Sequence, residues 1–234
     1  MIATRLADQR GSVDLGWLDS RHSFSFGHYY DAEHVGFGPL RVINEDRIRP
    51  GAGFDTHGHR DMEIITYVIA GALEHRDSTG GGSVIGPGIV QRMTAGTGIR
   101  HSEYNASGSD PVHLLQIWIE PRESGFAPDY AERRFDLEAE RGTLRLLVSA
   151  DGRDGSLIIQ QDADLYAARL DAGDRLTHAT DPRRKLWVQV VAGTLRFNGT
   201  LASAGDGLAI SGEAELSMTA ERDAEFLLFD MAAG

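Results

Sequence analysis

One segment decides the fold class of this chain: residues 57–73, which read HGHRDMEIITYVIAGAL. Two histidines stand two positions apart, a run of β-branched and aromatic residues follows, and a glycine turn closes the segment. Short runs of this kind, bounded by turn residues, are typical of strands in sandwiches and barrels. Similar runs occupy residues 114–119 and 186–191, without long helical periodicity between them. The sequence therefore predicts an all-β fold, with at most one or two short helical turns near residues 129–134.

The segment has a weaker copy in the second half of the chain. Its end, VIAGAL at residues 68–73, returns as VVAGTL at residues 190–195. A repeat of about 120 residues is too long for a solenoid and indicates two β-domains of the same kind in tandem. We expect an N-terminal domain over residues 1–120, a connecting segment over 121–135 and a C-terminal domain over 136–234.

Composition limits what the protein can bind. Among 234 residues there is no cysteine, so we expect no disulfides, and any metal must be held by nitrogen and oxygen ligands. The net charge of −12 argues against direct binding of nucleic acid and against attraction to an anionic membrane. No stretch approaches the roughly 20 apolar residues of a membrane span, and the N-terminus has no apolar leader. We expect a cytoplasmic monomer.

Two clusters of histidine and acid indicate a metal site. His57 and His59 precede Glu63, and about forty residues later His101 precedes Glu103. Residues two apart in a strand point to the same face, so two short strands can aim three imidazoles and a carboxylate at one point. Glu63 and Glu103 both have a strand parity that suits the site, and spacing alone leaves the choice between them open.

Both clusters lie within motifs that resemble those of the cupin superfamily. Gly51 with the pattern His57-x-His59-x3-Glu63 resembles the first cupin motif, and Gly98-x2-His101-x3-Asn105 resembles the second half of the other. One departure is a glycine at position 96, where the motif has proline. The combination of both motifs in the right order predicts a metal site far more strongly than either motif alone.

A closer resemblance is to the pirin family, most of all to bacterial pirin-like proteins described as quercetin 2,3-dioxygenases. It rests on HSFSFGHY at residues 22–29, HGHRDME at 57–63 and MTAGTGIRHSE at 93–103, and it extends over nearly the whole chain. The resemblance implies a bicupin, in which two jelly-roll β-barrels stack and the N-terminal barrel holds the metal. In the second half, His178 is the only histidine near the positions that match His57 and His59, and Lys185 matches Glu63. No metal is therefore expected there.

The resemblance also selects a ligand set. In pirins the carboxylate ligand follows the third histidine, which implies His57, His59, His101 and Glu103 as metal ligands. Glu63 then becomes a structural residue or one that bonds a ligand imidazole. Iron(II) is the metal that the resemblance favours, and the nitrogen and oxygen donors also suit Mn, Ni, Co, Cu or Zn.

The implied activity is cleavage of the flavonol ring by dioxygen with release of carbon monoxide. Quercetin or a similar planar aromatic substrate would bind through its 3-hydroxyl, and Glu103 would take the hydroxyl proton. An alternative of another class is a metal-dependent regulatory module that binds protein partners and turns over flavonols only incidentally. A third hypothesis is a different cupin enzyme, such as an isomerase or another dioxygenase.

Other polar and aromatic residues near the motifs have plainer interpretations. For His75 we favour hydrogen bonding in the barrel wall over a role at the pocket, and for His113 an ordinary polar role. Tyr67 suits core packing as well as it suits the cavity. The segment at residues 22–37, which contains His22, His28 and His34 among aromatic residues, is expected to form core packing or a surface turn rather than a cover.

Overall fold

The strand runs seen in the sequence form two β-barrels in the computed structural model, which describes residues 1–233. Two short 3-10 helices, Ala7–Gln9 and Arg153–Gly155, are the helical elements within this range. In chain order the strands are β1 Ile2–Arg5, β2 Gly11–Asp14, β3 Leu18–His22, β4 Leu40–Ile48, β5 Gly53–His59, β6 Glu63–Ala70, β7 Leu73–Asp77, β8 Gly82–Ile85, β9 Ile89–Thr94, β10 Ile99–Asn105, β11 Val112–Ile119, β12 Asp129–Arg134, β13 Arg145–Ser149, β14 Leu157–Ile158, β15 Ala163–Leu170, β16 Arg175–Ala179, β17 Lys185–Ala192, β18 Thr194–Phe197, β19 Thr200–Ser203, β20 Gly207–Ser211, β21 Glu215–Ala220 and β22 Ala224–Met231.

Each barrel pairs a seven-stranded sheet with a four-stranded sheet. The first barrel has the orders β12-β9-β6-β11-β4-β3-β2 and β5-β10-β7-β8, and the second has β1-β20-β17-β22-β15-β13-β14 and β16-β21-β18-β19. The two sets of orders correspond strand for strand, which confirms the predicted all-β bicupin. No helix of the described residues is long and apolar enough to cross a membrane.

The repeated glycine turn occupies the same place in both barrels. Gly71 joins β6 to β7 with φ of 80°, and Gly193 joins β17 to β18 with φ of 78°. A Cβ at these positions would lie 2.6 Å from the Pro111 carbonyl oxygen and 2.1 Å from the Asp223 carbonyl oxygen. Glycine is therefore needed both for the left-handed backbone and for the close approach of the neighbouring strand.

The two barrels exchange edge strands. β1, at the N-terminus, pairs with β20 of the second barrel, and β12 pairs with β9 of the first. The expected helical turns near residues 129–134 are therefore wrong, because the open edge of β9 offers ladder hydrogen bonds that outweigh local helix propensity. The division into residues 1–120, 121–135 and 136–234 stays a prediction, and residue 234 lies outside the described range.

A single apolar cluster joins the barrels. It combines side chains such as Ile65 and Leu115 of the first barrel with Leu165 and Phe229 of the second. Tyr67 is 4% exposed, belongs to this cluster and donates a hydrogen bond of 2.5 Å to Glu225 Oε1. Of its two interpretations, core packing is the one that the structure supports.

Candidate metal centre

Two neighbouring strands bring the predicted histidines together. β5 supplies His57 and His59, and β10 supplies His101 directly opposite His57 in an antiparallel register. The register shifts between His101 and Glu103, so β10 has a local irregularity at the site. Because residues two apart share a face, all three imidazoles point to the same side of the small sheet.

The three imidazoles converge through their Nε2 atoms. His101 Nε2 lies 3.0 Å from His57 Nε2 and 2.9 Å from His59 Nε2. One ring nitrogen of His101 has a single lone pair or a single proton, so it bonds poorly to both neighbours at once. With metal–nitrogen bonds of about 2.1 Å, ligands at right angles lie about 3.0 Å apart and tetrahedral ligands about 3.4 Å apart. The observed spacing therefore fits nitrogen ligands of a single metal ion.

The surroundings keep the imidazoles of His59 and His101 neutral, which is the form that binds metals. Burial, followed by the charge of His57, lowers the pKa of His59 to about 4. For His101, burial and then the neighbouring imidazoles, with His57 the largest, lower the pKa to about 2. At neutral pH the two rings are therefore uncharged, and each has one nitrogen with a lone pair that can bind a metal.

Glu103 is a buried carboxylate with one free oxygen. It is 3% exposed, and its Oε2 accepts a hydrogen bond of 2.8 Å from Gln116 Nε2, while Oε1 has no partner. Burial is the main cause that raises the pKa of Glu103 to about 7. A ligand atom of Glu103, one of His101 and one of His75 lie within 4.8 Å of one another. A metal ion beside His101 would give the unpartnered Oε1 of Glu103 a positively charged partner.

Glu63 lies elsewhere. It begins β6 in the larger sheet, is fully buried, and accepts a hydrogen bond of 2.7 Å from Thr94 Oγ1. β5 ends at His59, so residues 60–62 interrupt the strand parity that made Glu63 a candidate. Among residues 1–233, the groups whose ligand atoms cluster closely enough for a metal do not include it.

A cavity of about 260 Å³ adjoins the imidazoles. Its apolar wall includes Phe26, Phe54 and Trp118, and the Trp118 ring lies edge-on to Phe26 at 5.2 Å and to His59 at 4.9 Å between ring centres. For residues 22–37 the sequence favours core packing or a surface turn over a cover of the site, but Phe26 of this segment lines the cavity. The volume is near the low end of the roughly 300–1,000 Å³ typical of small-molecule sites.

The polar wall of the cavity was not foreseen from the sequence. Asn44, Asp46 and Gln116 line it from β4 and β11, and all three side chains are buried. Asn44 Oδ1 has no hydrogen-bond partner, nor has Trp118 Nε1 on the neighbouring strand β11. Burial is the main cause that raises the pKa of Asp46 to about 6. The available signal was Gln116, the one polar residue within the apolar run at residues 114–119.

Three of the remaining histidines, His75, His113 and His178, each lie within hydrogen-bond distance of a carboxylate. His113 Nε2 lies 2.8 Å from Glu45 Oε1, which agrees with the ordinary polar role expected of it. His178 Nε2 lies 2.7 Å from Asp230 Oδ2 in the second barrel. His75 lies 3.1 Å from Asp77 and is close to His101, so it is both a wall residue and a neighbour of the candidate site.

Comparisons with known proteins agree with this architecture. A family model described as Pirin matches residues 3–119, and one described as Quercetinase C-terminal cupin domain matches residues 146–231. A quercetin 2,3-dioxygenase of Escherichia coli K12 is 50% identical over 231 residues, covering 99% of both chains. A putative quercetin 2,3-dioxygenase of Pasteurella multocida is 42% identical, covering 99% of this chain and 100% of that one. The crystal structure of bacterial pirin YhhW from Escherichia coli in complex with nickel(II) is 48% identical, with full coverage of both chains and a TM-score of 0.96.

Proposed function

Because the chain belongs to the pirin family, we propose that it is a metal-dependent dioxygenase that cleaves flavonols such as quercetin. The proposed ligands are His57, His59, His101 and Glu103. The observation that supports this most is the convergence of three imidazole nitrogens, 2.9 and 3.0 Å apart, beside a buried cavity. The name of the Escherichia coli relative supplies the substrate class. Iron(II) is the proposed metal, and the nickel complex of the similar pirin makes Ni(II) the first alternative.

The metal, when bound, would lower the pKa of a coordinated substrate hydroxyl and leave positions for further ligands. Glu103 would ligate the metal through Oε1, which has no partner in the protein, and would take the proton of the flavonol 3-hydroxyl after swinging away from the metal.

The cavity walls would bind and orient the planar substrate. Phe26, Phe54 and Trp118 offer apolar surface that excludes water from the rings. Asn44 Oδ1 would accept a hydrogen bond from a substrate hydroxyl, and Trp118 Nε1 would donate one to a substrate oxygen. In the overall reaction one flavonol and one O2 give one ring-opened ester and one carbon monoxide.

The test is flavonol turnover. The purified protein is loaded separately with Fe(II) and with each alternative metal, and quercetin is added in air. We expect loss of the flavonol absorbance with one O2 consumed and one carbon monoxide released per quercetin, and none of this in His101→Ala treated in the same way. A protein that binds metal but bleaches no flavonol with any of these metals would contradict the proposal and favour the regulatory alternative.

A further inference from the structure

Three side chains form a row that ends at His101. His75 Nδ1 lies 3.4 Å from His101 Nδ1, and Asp77 Oδ2 lies 3.1 Å from His75 Nε2. The side chains of His75 and Asp77 are fully enclosed. The pairing of β7 with β10 fixes this row, since it sets His75 opposite Glu103 and Asp77 opposite His101.

The groups around His75 determine where the protons are. Asp77 Oδ2, a carboxylate oxygen that can only accept, lies 3.1 Å from His75 Nε2, so the single proton of the neutral ring is on Nε2. Gln91 Nε2 lies 3.3 Å from the other ring nitrogen, Nδ1. His75 Nδ1 is therefore an acceptor, and its proton resides on Nε2 and is donated to Asp77. His101 must then carry its own proton on Nδ1, which leaves its Nε2 lone pair directed at the other two imidazoles.

The row ends at the carboxylate of Asp77, which the loop that follows β7 holds in place. Asp77 Oδ1 accepts the backbone N–H groups of Thr79 at 2.8 Å and of Gly81 at 3.3 Å. Burial opposes ionisation, but the hydrogen bonds from Thr79, His75 and Gly81 together lower the pKa of Asp77. The His75 ring is also stacked on Tyr130, with 4.9 Å between ring centres, so it has little freedom to turn.

We propose that His75 is a positioning residue which, together with Asp77, fixes the tautomer of His101 and strengthens it as a metal ligand. The inference rests on the proposed function, because it requires a metal at His101. A ligand histidine whose second nitrogen is tied to a carboxylate is held in orientation and becomes a better donor. His57 has only a backbone carbonyl behind its ring, the Asp55 oxygen at 2.8 Å from Nδ1. The rings of His57 and His101 are therefore supported by different groups, a backbone carbonyl behind His57 and the His75–Asp77 pair behind His101.

Asp77→Asn tests this with little change in shape. The two backbone N–H groups hold the amide oxygen on the loop side, so the new NH2 faces His75 Nε2 and drives the proton of His75 to Nδ1. The N–H group at His75 Nδ1 would then face two other N–H donors, His101 Nδ1 and Gln91 Nε2. We expect the Kd for Ni(II), measured by chelator competition, to rise about 10–100-fold. The Fe(III)/Fe(II) midpoint potential should become more positive, because a weaker donor stabilises Fe(III) less.

Two further variants control the experiment. Asp206 accepts the backbone N–H groups of Ala7 and Ser203, both at 2.8 Å, in a turn of the second barrel, so Asp206→Asn makes the same change away from the histidines. We expect it to leave the Ni(II) affinity and the iron potential unchanged. His75→Phe keeps a ring against Tyr130 but removes the acceptor, and it should shift both quantities in the same direction as Asp77→Asn.

If folded Asp77→Asn or His75→Phe bound Ni(II) with the wild-type Kd and kept the iron potential, the inference would be wrong. A wild-type protein that bound no Ni(II) would overturn both the inference and the metal site. By contrast, the expected loss of affinity in a protein that turns over no flavonol would support the row of side chains and contradict only the proposed function.

Discussion

Buried imidazoles near the cavity are kept neutral by their surroundings, and each such group links stability to pH. His22 is the clearest case away from the proposed ligands. It is 4% exposed and lies edge-on to Phe26, with 5.5 Å between ring centres. Burial, followed by the charge of Arg10, lowers its pKa to about 4. Folding therefore disfavours the protonated form of His22.

This linkage predicts a loss of stability in mild acid. Since the folded-state pKa lies below the unfolded value of 6.5, the unfolded chain binds a proton first, and stability falls as pH drops from 6.5 towards 4. Between pH 7.5 and 5, urea unfolding with a chelator present should show that His22→Gln loses about 2 kcal/mol less than the wild type. The matched change at exposed His28 should lose as much as the wild type. An equal loss in His22→Gln would contradict the role of His22.

The predictable part of the site was the direction of its side chains. The spacing of His57 with His59, and of His101 with Glu103, was enough to place each pair on one face of a strand. The proximity of His75 and Phe26 could not be predicted, because it depends on the pairing of β7 with β10 and on the path of a loop. Glu63 shows where strand parity fails as a guide. The parity argument assumed one continuous strand from His57 to Glu63, but β5 ends at His59 and a new strand begins at Glu63.

The turns between strands help to determine which strands are neighbours, and one such turn lies close in sequence to His101 of the candidate metal centre. Gly96 lies between β9 and β10 with φ of 47°, and a Cβ there would lie 2.0 Å from the Phe126 carbonyl oxygen. Its own carbonyl accepts the Asp61 N–H at 2.9 Å. The turn thus connects the strand of His101 to two other loops, which explains a glycine where the cupin motif has proline.

Replacing this glycine should cost much more than replacing a glycine with open space around it. Gly51 has φ of 67° and no atom within 4 Å of a built Cβ, so Gly51→Ala should lose only about 1–2 kcal/mol of unfolding free energy, for the left-handed backbone. Gly96→Ala adds a clash with backbone and should lose about 3 kcal/mol or more. Chemical denaturation of both variants measures the difference. Equal losses would contradict the close approach of residue 126.

β12 shows why edge strands are hard to predict. Residues 129–134 are rich in charge and have no strand-like run, so their local pattern permits a helical turn. Their conformation is set by the free edge of β9, which lies far away in the sequence but needs backbone partners. β1 is a similar case, because its partner β20 lies about 200 residues further on.

The two barrels share a fold, but the second barrel lacks most of the candidate metal ligands of the first. In the strand register, the positions equivalent to His57, His59, His101 and Glu103 in the second barrel hold His178, Thr180, Leu216 and Met218. Leu216 and Met218 pack in the apolar cluster that fills that barrel. The repeat in the sequence was sufficient to predict two β-domains of the same kind, and the family resemblance predicted that they are barrels. The apolar core that the barrels share depends on packing that no local pattern records.

The central claim is that the first barrel holds one metal through three histidines and Glu103. Metal content per chain is measured by mass spectrometry after Ni(II) loading and desalting, for the wild type, Glu103→Gln and Glu63→Gln, with circular dichroism as the check of folding. We expect one Ni(II) per chain in the wild type and in Glu63→Gln, and a clear loss in Glu103→Gln. Full occupancy in Glu103→Gln together with loss in Glu63→Gln would contradict the account.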